Sequence, residues 1–414
     1  MTLSQEVPTM AATLAPSGKT YAELLVLYSD PDTCPADALQ PVPLAQEPAF
    51  VSWQQDIPRV YLEMGPEELD HRIAAARAKL GGKLVVLGHH YQRDEVIKYA
   101  DFTGDSFKLA RHAAEQQGIE YVLFCGVHFM AESADILTPE HVRVILPNMA
   151  AGCSMADMAD PDDVYAAWDE IHDVLGDDAR VVPVTYMNSA ASLKAFVGER
   201  GGLVCTSSNA DRALRWAFER GDRVLFFPDQ HLGRNTGYAM GIPLDEMVLW
   251  NWRLPMGGTT PEALHKAKII LWQGHCSTHQ RFTAEQIEKA RREHPGVQVI
   301  VHPECRWEVV QAADFSGSTE KIAKTIREAP AGTTWAVGTE INLVNRLAKQ
   351  NPDKTVFCLD PVVCPCSTMY RIHPAYVAWT LEALVQGQVV NEVRVDPETR
   401  KWSLVALERM LSLE

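Results

Sequence analysis

The sequence predicts an α/β protein made of three αβα sandwich domains with parallel sheets, and three observations carry that reading. Short β-branched apolar runs alternate with helical stretches, the pattern of parallel βαβ units. The pattern recurs three times with one internal spacing: Ser106 to Tyr121, Ser208 to Arg223 and Thr319 to Thr334 are each 15 residues. In every copy the first apolar run ends in a polar triplet.

Residues 1–70 read as an N-terminal extension; Ser29 to Pro48 is rich in Pro, Ala and Asp and has no clear period. The first repeat covers 71–150. Its run Lys83–Leu87 leads to His89, His90 and Tyr91, then to Gly104, Asp105 and Ser106, a helical stretch, and the runs Tyr121–Phe124 and Val142–Leu146. The second covers 151–264. Arg180–Val184 leads to Tyr186, Met187 and Asn188, then to Thr206, Ser207 and Ser208, a helix, and Arg223–Phe227. The third covers 265–374. Val297–Val301 leads to His302, Pro303 and Glu304, then to Ser316–Thr319, a helix, Thr333–Val337 and Thr355–Cys358. The tail 375–414 is expected to pack back on the first repeat.

Such sheets are buried on both faces, with right-handed crossovers, and ligands sit beyond the carboxyl ends of their strands. The three triplets occupy that position. The second polar blocks place hydroxyls where helices begin, either as caps or as ligands to an anion at the free N–H groups, and we expect both.

The chain carries 38 basic and 54 acidic residues, a net charge of −16. That balance disfavours nucleic acid and anionic membrane as general partners. No apolar run reaches the roughly 18 residues of a membrane helix, and the start lacks a basic region followed by an apolar stretch, so a cytoplasmic protein is expected. Neither a Walker A pattern nor G-x-G-x-x-G after a strand occurs, which leaves nucleotide binding unsupported.

Nine cysteines are scattered along the chain. In a reducing compartment they read as buried side chains or as metal ligands. Cys125, Cys276 and Cys366 lie in three strand-end loops, roughly one per repeat, which favours a shared metal site. The absence of Cys-x-x-Cys argues against a structural zinc or an electron-transfer cluster. The spacing alone leaves open an iron–sulfur cluster or a catalytic zinc. His302 and Glu304, at i and i+2, point to one side of a strand and could move protons beside a metal, as could Tyr91 and His279.

Taken as a set, several segments resemble the quinolinate synthase family: Gly88-His89-His90-Tyr91-Gln92, Asp101 to Ser106, Phe124-Cys125-Gly126 to Glu132, Cys205 to Ala210, Gly274-His275-Cys276, His302-Pro303-Glu304-Cys305, Gly338-Thr339-Glu340 and Cys366-Ser367-Thr368-Met369. They run from residue 83 to about 375 in the family's order. The resemblance implies a pseudo-threefold arrangement of the three domains around one [4Fe–4S] cluster. Cys125, Cys276 and Cys366 would be its ligands, leaving one open iron as Lewis acid; Cys366 is preferred over Cys364 because Met369 follows it at i+3. It implies a transferase-type condensation and dehydration of iminoaspartate with dihydroxyacetone phosphate to quinolinate, a precursor of NAD. It also implies functional coupling to an aspartate-oxidising enzyme. Substrate contacts map onto His89, Ser106, Tyr186, Met187, Asn188, Ser207, His302, Pro303, Glu304 and Thr319. Catalytic roles map onto Tyr91, Glu304 and His279. The competing readings are a zinc-dependent lyase or hydrolase using Cys276, His279 and His302, and a non-enzymatic iron–sulfur redox sensor.

Overall fold

The computed structural model describes residues 57–413, apart from Pro361, Val363 and Cys364. Cys34, Cys364 and most of the expected N-terminal extension lie outside the described residues.

The apolar runs form strands because their β-branched and aromatic side chains fill both faces of buried parallel sheets. In chain order these are β1 (Leu84–His89), β2 (Phe102–Gly104), β3 (Tyr121–Cys125), β4 (Arg143–Ile145), β5 (Val181–Tyr186), β6 (Leu203–Cys205) and β7 (Arg223–Phe227). They continue as β8 (Met247–Trp250), β9 (Ile269–Trp272), β10 (Gln298–Val301), β11 (Phe315–Ser316), β12 (Thr334–Gly338), β13 (Thr355–Cys358) and β14 (Glu392–Val393). They assemble into three sheets, ordered β14-β4-β3-β1-β2, β6-β5-β7-β9-β8 and β11-β10-β12-β13.

One four-stranded parallel unit recurs in all three: β2-β1-β3-β4, β6-β5-β7-β9 and β11-β10-β12-β13. The added edge strands differ, β8 running parallel to β9 and β14 antiparallel to β4. The architecture is thus α/β with three equivalent parallel layers, as the repeat spacing implied.

In the third unit the two-residue period of the strands sorts the core. Val299 and Val301 join Ile287, Val309 and Phe282 on one face, while Ile300, Trp335 and Val337 join Ile322, Ile326 and Leu343 on the other. Helices therefore cover both faces of the sheet.

The C-terminal segment ties two units together. Helix Pro374–Val385 lies on helix Pro66–Leu80, where the Arg72 guanidinium clamps Glu382 at 2.6 and 2.7 Å and Tyr61 donates to the same carboxylate at 2.6 Å. The latter helix crosses residue 70, and β9 (Ile269–Trp272) belongs to the second sheet, so the first unit begins before residue 71 and the second runs past residue 264. β14 returns to the edge of the first sheet, whereas helix Pro397–Leu411 docks on helix Ala191–Glu199 of the second. That docking is backbone-close: a Cβ on Gly198 would stand 2.0 Å from the Trp402 carbonyl oxygen. Gly198→Ala is expected to prise the two helices apart and cost about 1–3 kcal/mol, the usual range for overpacking. Equilibrium unfolding would measure this, and an unchanged midpoint would show that the two helices do not bear on each other as described.

Candidate functional site

Strands β1, β5 and β10 hold the same place in their units, and their carboxyl ends converge on one cavity of about 630 Å³ including its mouth. The alternation of an extended chain decides which triplet members reach it. His89 and Tyr91, Tyr186 and Asn188, and His302 and Glu304 line the cavity. The middle residues do not. His90 turns to the Glu320 carboxylate, with Nε2 to Oε1 at 2.7 Å. Met187 is buried against Ser133, whose hydroxyl donates to its sulfur at 3.4 Å. Pro303 lines a separate groove. Met187 and Pro303, expected as substrate contacts, thus do not line the cavity, as the strand period dictates.

Ser106 and Thr319 are the first residues of helices Ser106–Glu115 and Thr319–Glu328, and both line the cavity. Capping is done by their neighbours: Asp105 accepts from the Lys108 N–H and Ser318 from the Lys321 N–H. Ser207 also lines the cavity but precedes its helix, Ala210–Phe218, in a turn closed by Asn209, whose side-chain oxygen accepts from the Thr206 N–H at 2.8 Å.

Glu304 is the electrostatic centre of the site. It is 3% exposed, and both carboxylate oxygens are engaged. Oε1 accepts from the Tyr186 hydroxyl and Oε2 from His279 Nδ1, each at 2.6 Å. Burial alone would raise its pKa, but the adjacent His302 and His279 and the Tyr186 hydrogen bond outweigh it and hold the carboxyl well below the usual range. Behind it, His279 Nε2 faces the Thr339 hydroxyl at 3.1 Å and the Tyr91 hydroxyl at 3.3 Å, and those hydroxyls pair at 2.9 Å. A continuous chain of hydrogen bonds thus runs from Tyr91 in the first unit, through Thr339 and His279, to Glu304 in the third and Tyr186 in the second. Burial, reinforced by Glu304, pushes both phenols well above their ordinary pKa, so both keep their protons.

His89 and His302 repeat one arrangement. The Tyr91 N–H donates to His89 Nδ1 at 3.1 Å, and the Glu304 N–H donates to His302 Nδ1 at 3.3 Å. A ring whose Nδ1 accepts carries its proton on Nε2, a tautomer assigned from these bonds. Burial lowers both imidazoles to about 3, His302 against the attraction of Glu304. Each therefore offers one neutral N–H donor.

The cysteines follow the repeat more strictly than the sequence alone revealed. Cys153, Cys276 and Cys366 each come after the fourth strand of a unit, β4, β9 and β13. Three residues after each begins a 3-10 turn (Ala156–Met158, His279–Arg281, Met369–Arg371). Eight residues after each begins a helix (Pro161–Leu175, Ala284–Glu293, Pro374–Val385). The N–H four residues on bonds back to each cysteine carbonyl, at 3.0, 2.9 and 2.9 Å. All three line the cavity. Burial raises each thiol, Cys153 to about 12, and the three oppose one another's ionisation.

Cys125 is different. It ends β3, the third strand of its unit, is 1% exposed, and does not line the cavity. Burial raises its thiol to about 12, with Arg77 its one charged influence. Cys125, expected as a ligand from its strand-end place, therefore stands apart from the three cysteines that line the cavity. Cys153 was not among the expected ligands; its fixed distance to the following turn and helix is the signal that sets it beside Cys276 and Cys366.

Thr339, in the Gly338-Thr339-Glu340 block, is a further residue of this network that its local sequence does not mark. Glu340 caps helix Ile341–Gln350 and accepts from the Cys366 N–H at 3.3 Å, fixing that loop; burial raises its carboxyl to about 7. Cys276, His279 and Glu304 bring their ligand atoms within 4.8 Å of one another, so a metal ion could be held there.

The model of the Quinolinate synthetase A protein family matches residues 71–412. The chain belongs to the quinolinate synthase family. It is 61% identical over 366 residues to the quinolinate synthase of Corynebacterium glutamicum, covering 88% of this chain and 93% of that one. It is 56% identical over 356 residues to the quinolinate synthase of Acidobacterium capsulatum (85% and 95%) and 52% identical over 361 residues to that of a Geobacillus species (86% and 97%). In this quinolinate synthase family member no helix of the described residues is long and apolar enough to cross a membrane.

The lowered histidines set an acid limb for stability. Between about pH 6.5 and 3 unfolded His302 takes up a proton that the folded residue refuses, so stability falls as pH falls through that window, by at most about 1.4 kcal/mol per pH unit for each such group. His302→Asn is expected to flatten the pH dependence of the urea midpoint between pH 6.5 and 5. A slope identical to that of the unsubstituted protein would mean that His302 titrates normally.

Proposed function

We propose that this chain condenses iminoaspartate with dihydroxyacetone phosphate to quinolinate, phosphate and water in the cavity, with a [4Fe–4S] cluster held by Cys153, Cys276 and Cys366. The observation that carries the proposal is the three thiols, each following the fourth strand of one of the three sheets, facing a cavity already lined by neutral donors for anions. Their donor chemistry fits the group: half-buried cysteines whose thiols hinder one another's ionisation need a cationic partner to become thiolates, and three protein ligands leave one metal position free. When bound, the cluster supplies a Lewis-acidic iron open to substrate.

The chain's own groups do the rest. The Nε2–H donors of His89 and His302, the Asn188 side chain and the hydroxyls of Ser106, Ser207 and Thr319 hold carboxylate and phosphate oxygens. The starts of the two helices at Ser106 and Thr319 add unpaired N–H groups. Ring formation requires protons to leave carbon and nitrogen and to reach departing oxygens. Tyr91 is the donor at the cavity wall, and Thr339 and His279 connect it to the carboxylate of Glu304, which stabilises the imidazolium when His279 takes up a proton. The product is a precursor of NAD, and an aspartate-oxidising enzyme is the proposed source of the imine. The proposed compartment is the cytosol, where thiols stay reduced.

A zinc-dependent reaction at Cys276, His279 and Glu304 is the second reading, favoured by their close approach. Such an ion would break the 2.6 Å bond between His279 and Glu304, and it gives Cys153 and Cys366 no part. The iron–sulfur reading uses all of these groups and is preferred.

Two sets of variants test the proposal. Cys153→Ser, Cys276→Ser and Cys366→Ser are each expected to lose bound iron and labile sulfide after anaerobic reconstitution, whereas Cys125→Ser keeps both. Full iron in Cys153→Ser would refute the ligand set. With the cluster intact, Glu304→Gln and Tyr91→Phe are expected to lower turnover roughly 10²–10⁴-fold, the range for a lost general acid or base. Turnover within a few-fold in both would move the proton chemistry elsewhere.

A further inference from the structure

Among the described residues no arginine or lysine lines the central cavity, and the chain as a whole is strongly acidic. Anionic substrates must therefore approach through a repelling field unless the approach itself is positive. The three seams between the repeats differ in this respect. At the mouth the first and third units are held together by Glu320, which bonds His90 at 2.7 Å and pairs with Lys108 at 3.3 Å. The first and second units are held by the Ser208 hydroxyl, which donates to Asp105 at 2.9 Å. Bonds also cross the seam between the second and third units, from Tyr186 to Glu304 and from Asn235 to the Pro303 and Cys305 carbonyls, but they do not close it along its length. A groove of about 1090 Å³, counted with its open side, runs along it, and Ser207 lines both this groove and the central cavity.

Two cations face that groove, one from each wall. Arg215 projects from helix Ala210–Phe218; it is exposed and forms no side-chain hydrogen bond or ion pair among the described residues, including none with Asp211 one turn earlier. Lys321 stands opposite in helix Thr319–Glu328. Its stem lies across Gly317, where a Cβ would come within 2.3 Å of Lys321 Cδ, and its ammonium donates to the Ser316 carbonyl at 2.9 Å with no carboxylate partner among the described residues. The floor is joined to the site: Asn235, in the groove wall, donates to the carbonyls of Pro303 and Cys305 at 2.8 Å each, on either side of Glu304. Its own carbonyl oxygen is buried and receives no donor among the described residues.

We propose that this groove is an anion-binding vestibule, in which Arg215 and Lys321 take up a small phosphorylated or carboxylated substrate before it passes Ser207 into the cavity. The inference rests on the proposed reaction for its substrates but not for its geometry. Exposed cations of this kind contribute little individually, and their effect falls on capture and its salt dependence rather than on the chemical step.

The test uses the anaerobic holoenzyme with its cluster quantified. Arg215→Gln and Lys321→Gln are each expected to raise the KM for the anion that uses the groove by about two- to fivefold, and the double variant by about tenfold, while kcat changes far less. The double variant also loses most of the rise in KM that potassium chloride produces. Arg253→Gln, in a different surface groove, serves as control and leaves both constants unchanged. A rise confined to one substrate identifies which anion the groove takes. Unchanged KM for both substrates, with unchanged salt dependence, overturns the vestibule. Should the unsubstituted enzyme fail to turn over the two substrates, the proposed reaction falls instead. The groove is then read by titrating inorganic phosphate calorimetrically: weaker binding in the double variant supports it and equal binding overturns it.

Discussion

A carboxylate buried to the extent of Glu304 must be compensated, and its compensation organises the centre of this molecule. An unpaired charge in such a position costs several kcal/mol, so each oxygen needs a donor of good geometry. Tyr186 arrives from the second sheet and His279 from the loop after β9, while Thr339 and Tyr91 complete the shell behind His279. No single repeat holds this set. The charge is stable only when all three strand ends have met, which makes the network a measure of assembly as well as a candidate proton path. The stacking of His279 on His302, with ring centroids 4.4 Å apart and planes 15° from parallel, locks two of its members together.

Among the described residues no lysine or arginine lines the same centre. Its donors are neutral: imidazole N–H groups held down by burial, phenols held up by it, hydroxyls, and helix starts. In a water-poor cavity such preoriented dipoles act strongly and do not have to reorganise during a reaction. Fixed cations here would compete with a metal centre for the substrate's oxygens and would pair with Glu304. Their displacement to the groove between the second and third units separates attraction from chemistry.

Much of this was legible in the residues. The 15-residue spacing and the three polar triplets led to three parallel units, because strand period, strand-end position and helix starts are local properties that a sequence carries openly. They also brought His89, Tyr91, Tyr186, Asn188, His302 and Glu304 to one place. Other features were less visible. Met187 and Pro303 came in with their strand-end triplets, although the period of the strand turns them away from the cavity. Cys125 ends an obvious strand and so reads as a strand-end ligand, whereas Cys153 follows the short β4 at a distance and carries no such mark. Only the equivalence of β4, β9 and β13 within their sheets separates the two, and that is a property of strand order, not of local sequence. Thr339 was hidden for a similar reason: its partners, Tyr91 and His279, are distant in sequence and belong to other parts of the fold.

The assignment of one thiol per repeat to a shared metal group is the claim on which the functional account turns. Anaerobic crystals of the reconstituted protein, measured at the iron absorption edge, test it most directly. The account predicts a single compact iron centre in the central cavity, bonded to the sulfurs of Cys153, Cys276 and Cys366 and to no other protein atom. Iron at Cys125, or one isolated metal ion bound by Cys276, His279 and Glu304, would contradict it.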